Sequence, residues 1–263
     1  MLGTAPRLAA LARQIAGLAA ASRPALSAVQ LAERAGLDPD PWQVDALTSQ
    51  SPRMLFNCSR QSGKSSISSI LAMHQALTVP GSLVLLLSPT LRQSGELFKK
   101  CIATYRAADR PVAPESETAL TLTLQNGSRI VSLPGQEQTV RGYSGVALLI
   151  VDEASRVPDA LYFSVRPMLA VSGGRLLALS TPFTTRGWWF EAWRSPEPWE
   201  RYEVPATRCP RIAPAFLEEE RRTLGAFWFG AEYMCQFLDS ESQAFRREDI
   251  DSAFSMEVKA WPL

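Results

Sequence analysis

The segment Asn57-Cys58-Ser59-Arg60-Gln61-Ser62-Gly63-Lys64-Ser65 concentrates residues that can do chemistry. It follows the apolar run at 53–56 and precedes a helical pattern. A strand, a polar loop and a helix opening on Gly-Lys-Ser make an anion cradle. Backbone N–H groups and the positive helix N-terminus hold a phosphate, Lys64 reaches its outer oxygens, and the Ser65 hydroxyl can ligate Mg2+. Gln61, Ser62, Gly63 and Ser66 complete the cradle. Cys58 stands where the usual G-x-x-x-x-G-K-[ST] pattern has its first glycine, so the loop is a variant. Gly-Lys-Ser on its own is also an ordinary helix start.

A second cluster is Leu148-Leu149-Ile150-Val151-Asp152-Glu153, an apolar strand ending in two acids. In open α/β folds that edge of the sheet is where ligands bind. Asp152 is suited to hold magnesium, directly or through water, and Glu153 to orient and deprotonate an attacking water. Alone, two acids capping a strand explain the pair as well; the upstream loop favours chemistry. A third element, Ser180-Thr181-Pro182, ends another apolar run. A hydroxyl pair there can sense hydrolysis of a γ-phosphate, although a turn before Pro182 is the plainer alternative.

The elements that must position these groups follow from pattern. Arg53–Cys58, Leu83–Ser88, Ala147–Asp152 and Leu176–Ser180 are short, near-continuous apolar runs suited to parallel strands buried on both faces. Helical stretches at Ser66–Leu77, Leu91–Ala108 and Asp159–Leu169 lie between them. Thr118–Leu124 and Arg129–Leu133 flank Asn126-Gly127 and read as an antiparallel hairpin. The fold class expected is an α/β P-loop NTPase with a mainly parallel sheet flanked by helices. Leu83–Ser88 is expected as an additional strand between the loop strand and the acidic strand, an arrangement of ATPases with a catalytic glutamate. After Thr185 the chain turns rich in Trp, Pro and charge and reads as a small helical subdomain.

The chain has 263 residues, 46% of them hydrophobic and 20% charged, with 27 basic and 26 acidic side chains. That composition supports a sizeable core and excludes disorder. A formal charge of +1 excludes coating of nucleic acid by bulk charge, though not local basic patches. Four cysteines without C-x-x-C spacing and a single histidine, His74, argue against a zinc site and for reduced thiols. His74 reads as packed or surface-exposed. Arg7, Arg13 and Arg23 precede the first acid, Glu33, and Leu8, Leu11, Ile15 and Leu18 share a helical face. A docking helix is favoured there over a cleaved leader, and no stretch suits a membrane span. Trp188, Trp189, Trp193 and Trp199 lie among Arg186, Arg194 and Arg201. Stacking on nucleic acid is one reading of that cluster, and packing in a core is the favoured one. Glu218–Glu220 with Arg221 and Arg222 reads as a solvated helix face.

The order and wording of several pieces resemble the ATPase domain of tailed-phage terminase large subunits. The pieces are PWQVDAL (41–47), CSRQSGKSS (58–66), SPTLRQSGELFKK (88–100), NGSRIVSLPG…VRGYSG (126–145), LLIVDEAS (148–155), LSTP (179–182) and FWFGAEYMCQFLD (227–239). The resemblance implies ATP and Mg2+ as cofactors, with Gln43 on the adenine edge and Trp42 beside it. It implies Lys64 and Ser65 on phosphate and metal, Asp152 and Glu153 in the roles above, and Thr181 in a coupling motif. Arg60 matches a functional arginine of the loop. Arg141 matches a finger acting on a neighbouring subunit, where residue types alone favour a surface arginine. The implied activity is ATP hydrolysis driving double-stranded DNA into a procapsid. The implied partners are a portal protein, a small terminase subunit and further copies of the chain in a ring, in the cytoplasm of an infected host.

The expected divisions are a helical extension (1–36), an ATPase core (37–185), the smaller subdomain (186–240) and a linker (241–263). Glu241–Leu263 lacks the acidic strand set that a two-metal nuclease needs, so no DNA cleavage is expected. Two alternatives stand beside this reading. The glutamine motif and Asp-Glu-Ala also resemble helicases, which unlike a translocase must separate strands. A nucleotide-dependent assembly module without turnover is the other, against which Lys64, Asp152 and Glu153 argue.

Overall fold

A computed structural model describes residues 26–135 and 142–238. The proposed N-terminal docking helix, Arg141 and the segment 241–263 lie outside the described residues.

Near-continuous apolar sequence becomes the middle of a sheet. β1 (Arg53–Cys58), β2 (Leu83–Ser88), β6 (Val146–Asp152) and β7 (Arg175–Ser180) are the expected runs. Every residue of β2 is buried, because helices cover both faces and each position must be apolar or paired. Val84 and Leu86 face a layer made by α1 (Ala28–Arg34), α2 (Pro41–Thr48), α3 (Lys64–Thr78) and α4 (Leu91–Ala107). Leu85 and Leu87 face α5 (Asp159–Val165) and α6 (Trp188–Arg194). Pro167 has no N–H to continue α5, so the expected helix to Leu169 finishes as a 3-10 turn, Arg166–Leu169.

Among the described residues, eight strands form one sheet in the order β3-β4-β5-β2-β6-β7-β1-β8. All neighbours from β5 to β8 are parallel. β3 (Pro114–Glu117), β4 (Thr121–Leu124) and β5 (Arg129–Pro134) form an antiparallel meander at one end. The expected hairpin is present. Its turn places Gly127 at φ 81° and lets Asn126 Oδ1 accept the Ser128 N–H at 3.0 Å. β3 carries no alternating pattern because its side chains are mostly exposed.

The additional strand is a different one from that expected. β7, not β2, lies between β1 and β6, and β2 flanks β6 on its far side. The chain leaves β1 through α3 and crosses two strand positions before it pairs. β6 and β7 fill that gap later in the sequence, so chain order is not spatial order here.

The stretch 186–240 is not purely helical either. Glu200–Val204 forms β8 and pairs in parallel with β1, with Tyr202 stacked on Phe56 at 4.8 Å. Glu200, Arg201 and Glu203 make β8 mostly charged, which hides it from an apolar-run search. α7 (Pro214–Met234) breaks at Gly225, whose φ of 71° and ψ of 168° turn the helix back on itself. Leu217, Phe229 and Tyr233 then close a small apolar cluster with Ala206. Trp188 and Trp189 are core residues, with Trp188 stacked on Tyr162 at 3.7 Å and donating to the Val157 carbonyl at 2.8 Å. Trp193 and Trp199 pack against the same cluster.

Candidate active site

β1 delivers the chain to the carboxyl edge of the sheet, and the loop 59–63 turns it into α3. Gln61 (φ 59°) and Gly63 (φ 92°) both adopt left-handed backbone. At Gly63 glycine is needed twice over, because a Cβ there would also lie 2.6 Å from Gln43 Nε2. The Ser62 hydroxyl donates to the Ser59 carbonyl at 2.9 Å and braces the bend from within. Cys58 is fully buried and burial pushes its thiol up, so the substitution for glycine leaves an inert side chain under the loop.

Strand alternation aims the acids. Leu148 and Ile150 face the α3 layer, and Asp152 keeps their parity. It therefore points toward the start of α3, where Ser65 lines the same cleft. Glu153 takes a left-handed backbone, φ 50° and ψ 45°, at a cost on the order of 1 kcal/mol for a non-glycine residue. That turn brings Glu153 Oε1 to 3.8 Å from Lys64 Nζ. Lys64 and the adjacent acids Asp152 and Glu153, far from it in sequence, thus meet at one end of the sheet.

Asp152 is 6% exposed and its Oδ1 is buried without a hydrogen-bond partner. Burial, reinforced by the Glu153 charge and opposed by Lys64, pushes its carboxyl up to about 6. β2 places another buried, unpartnered oxygen at the same edge, Ser88 Oγ. Val151 pairs with Leu87, so the next residues, Asp152 and Ser88, end neighbouring strands. Hydroxyl and carboxylate oxygens lacking partners suit a hard divalent cation. Ser65 and Asp152 fit Mg2+, and Thr90 with Arg92, Gln93, Glu96, Leu97 and Lys100 of α4 lines the rest of the cleft. The cleft encloses about 690 Å³.

The remaining expected residues occupy distinct positions. Ser180, not Thr181, makes the contact at the end of β7. Its hydroxyl donates to Ser155 Oγ at 2.8 Å and accepts the Ser155 N–H at 3.2 Å, which ties β7 to the turn carrying Glu153. Thr181 is half-buried beyond it. Arg60 lies against α7, paired through Nε and Nη2 with both carboxylate oxygens of Glu232. Its own N–H donates to the Glu232 carbonyl at 3.0 Å. Gln43 is fully enclosed, with Oε1 accepting the Asp40 N–H at 2.9 Å and Nε2 donating to the Ser62 carbonyl at 3.3 Å. The amide assigned by resemblance to an adenine edge is occupied by protein, and Trp42 beside it is buried in the core. The surrounding helix packs both residues inward, which a motif match does not reveal.

Glu232, Arg211, Asp40 and Ser88 are site neighbours that sequence reasoning missed. Arg60 and Glu232 stand 172 residues apart, Arg211 and Asp40 171, and no local pattern links such pairs.

Residues 55–252 match the family described as terminase large subunit, T4likevirus-type, N-terminal. The chain belongs to the terminase large-subunit family. A terminase large subunit of Thermus phage G20c is 28% identical over 179 residues, and that of Thermus virus P23-45 is 29% identical over 180. Each match takes in 60% of this chain and 36% of the relative, so the chain spans about a third of the curated relatives it matches. The large-terminase ATPase domain of Thermus phage P74-26 superposes with a TM-score of 0.71 at 23% identity, covering 79% of this chain and 97% of that one. A large terminase of a thermophilic bacteriophage, solved with ADP, gives 0.63 at 14% identity over 76% of this chain and 54% of that one. The fold is that of a large-terminase ATPase domain. Among the described residues, no helix of this terminase chain is long and apolar enough to cross a membrane.

Proposed function

We propose that this terminase domain hydrolyses ATP and that turnover drives double-stranded DNA into a procapsid. The observation that carries the reading is the convergence of Lys64, Asp152 and Glu153 at the mouth of the 59–63 loop, with Glu153 3.8 Å from Lys64. Large-terminase structures with ADP and with ATP-gamma-S support a nucleotide as the ligand.

In this reading the loop backbone and Lys64 hold the β- and γ-phosphates. Ser65 and Asp152 hold Mg2+, which when bound neutralises charge on those phosphates. Glu153 orients a water and accepts its proton as the oxygen bonds to the γ-phosphorus. The bond to the β–γ bridging oxygen breaks, and ADP and inorganic phosphate leave. Ser180, bonded to the turn after Glu153, relays the change at that carboxylate into β7. Arg60 is solvent-accessible, with a side chain 63% exposed, so water screens its two-pronged pair with Glu232. A triphosphate competes with Glu232 for Arg60, which links the loop's occupancy to α7. Arg141 completes the site of a neighbouring subunit in a ring. The portal, the small subunit and DNA are the partners, in the host cytoplasm.

Steady-state ATP turnover of the purified chain, with and without DNA and procapsid, tests this reading. ATP-dependent movement of DNA without strand separation is expected. Strand separation would favour a helicase, and binding without turnover an assembly module.

A further inference from the structure

The Ser62 carbonyl receives two side-chain donors from outside the loop. Gln43 Nε2 reaches it at 3.3 Å and Arg211 Nη2 at 3.4 Å. Arg211 follows β8, far from the loop in sequence, and is fixed by a two-pronged pair with Asp40. Its Nη1 lies 2.8 Å from Asp40 Oδ1 and its Nη2 2.7 Å from Oδ2. Asp40 is buried, at 8% exposure, and its N–H is bound by Gln43 Oε1 at 2.9 Å. The three side chains thus form a closed ring of contacts around one peptide group. Gln43 sits so close that a Cβ on Gly63 would overlap it.

A trans peptide is planar, with its carbonyl and N–H on opposite sides. Holding the Ser62 carbonyl on Gln43 and Arg211 therefore turns the Gly63 N–H away from them. In a phosphate cradle that N–H is one of the donors that must be aimed before the anion arrives.

We propose that Asp40, Gln43 and Arg211 are a clamp that fixes the Ser62–Gly63 peptide for phosphate, with Arg211 and Gln43 as positioning residues. The inference rests on the reading of the loop as a phosphate site. It assigns Gln43 to phosphate geometry and leaves discrimination between bases to other groups. It also makes the segment after β8 part of the site, since Arg211 joins that segment to the loop. Lysine cannot replace Arg211, because a single ammonium lacks the fork that meets both Asp40 oxygens and the carbonyl together.

The test is calorimetric titration of the full chain with ATP, GTP and inorganic pyrophosphate in the presence of Mg2+. Wild type is compared with Arg211→Ala, Arg211→Lys and Gln43→Ala, and with Lys64→Ala as the control for the site itself. Thermal melting of each variant reports folding, and Arg211→Lys, which keeps charge and stem, carries the test if the alanine variant unfolds. The expected result, in variants that keep a cooperative melting transition, is a loss on the order of tenfold that is the same for all three ligands, beside a lower melting temperature in the Arg211 variants because buried Asp40 loses its partner. Unchanged pyrophosphate affinity in both Arg211 variants would overturn the clamp, as would a Gln43→Ala loss confined to ATP. If Lys64→Ala leaves pyrophosphate binding intact, the phosphate site itself is wrong, a failure distinct from that of the clamp.

Discussion

Asp152 is buried at the edge of the sheet with one oxygen unbonded, and its charged form is costly until a cation meets it. Its carboxyl is raised from 3.8 to about 6. The folded state therefore binds the proton more tightly than the unfolded chain, and stability falls as pH rises through that window, then stays level above it. The ionised group therefore costs stability at neutral pH. Asp152→Asn should melt higher than wild type above pH 6 without Mg2+, the gap should close toward pH 4, and turnover should be lost. Melting curves across that pH range check this; a gap constant with pH would contradict it. At Lys64 the effect is on binding. Lys64→Ala removes a cation facing the β- and γ-phosphates, so affinity for a non-hydrolysable ATP analogue should drop, and titration measures it.

At the scale of elements, α7 depends on one glycine. Gly225 holds φ 71° and ψ 168°, a region essentially only glycine adopts, with open space around the position of a Cβ, so Gly225→Ala should cost roughly 1–3 kcal/mol through backbone strain alone. Urea unfolding measures that, and an unchanged midpoint would mean that the break does not need glycine's positive φ. The break also presents Glu232 to Arg60. Glu232→Gln should lower melting only slightly, because Arg60 is largely exposed and the amide can still accept from it, yet tighten ATP binding by freeing Arg60. Equal or weaker ATP binding would remove the competition between Glu232 and phosphate. These elements also show where sequence was readable. β1, β2, β6 and β7 are legible because strands covered on both faces are mostly apolar, and the loop and acids follow at their ends. β8 is not, since Glu200, Arg201 and Glu203 interrupt its apolar positions. The place of β7 between β1 and β6 is invisible because, although β6 lies close to it in sequence, its pairing with β1 joins segments more than a hundred residues apart. The same distance hides Glu232 and Arg211, whose contacts exist only after the chain folds back over the loop.

For the whole molecule, the reading predicts that subunits complete one another. A guanidinium supplied in trans contributes on the order of 10³–10⁵ in rate, so the dilute domain should turn over slowly and faster than linearly with concentration. Mixing Arg141→Ala with Glu153→Gln under assembling conditions should restore partial activity, since a subunit with intact Glu153 can receive a neighbour's Arg141. If the mixture stays inactive while wild type assembles and turns over, the finger does not act in trans.

The central claim is that Glu153 is the base for ATP hydrolysis at the site formed by the loop, Lys64 and Asp152. The most direct measurement pairs ATP binding with phosphate release in Glu153→Gln. The amide keeps the shape and can still bond the water, but it cannot accept the proton. The account predicts ATP affinity near wild type with turnover abolished. Phosphate release near the wild-type rate would contradict it.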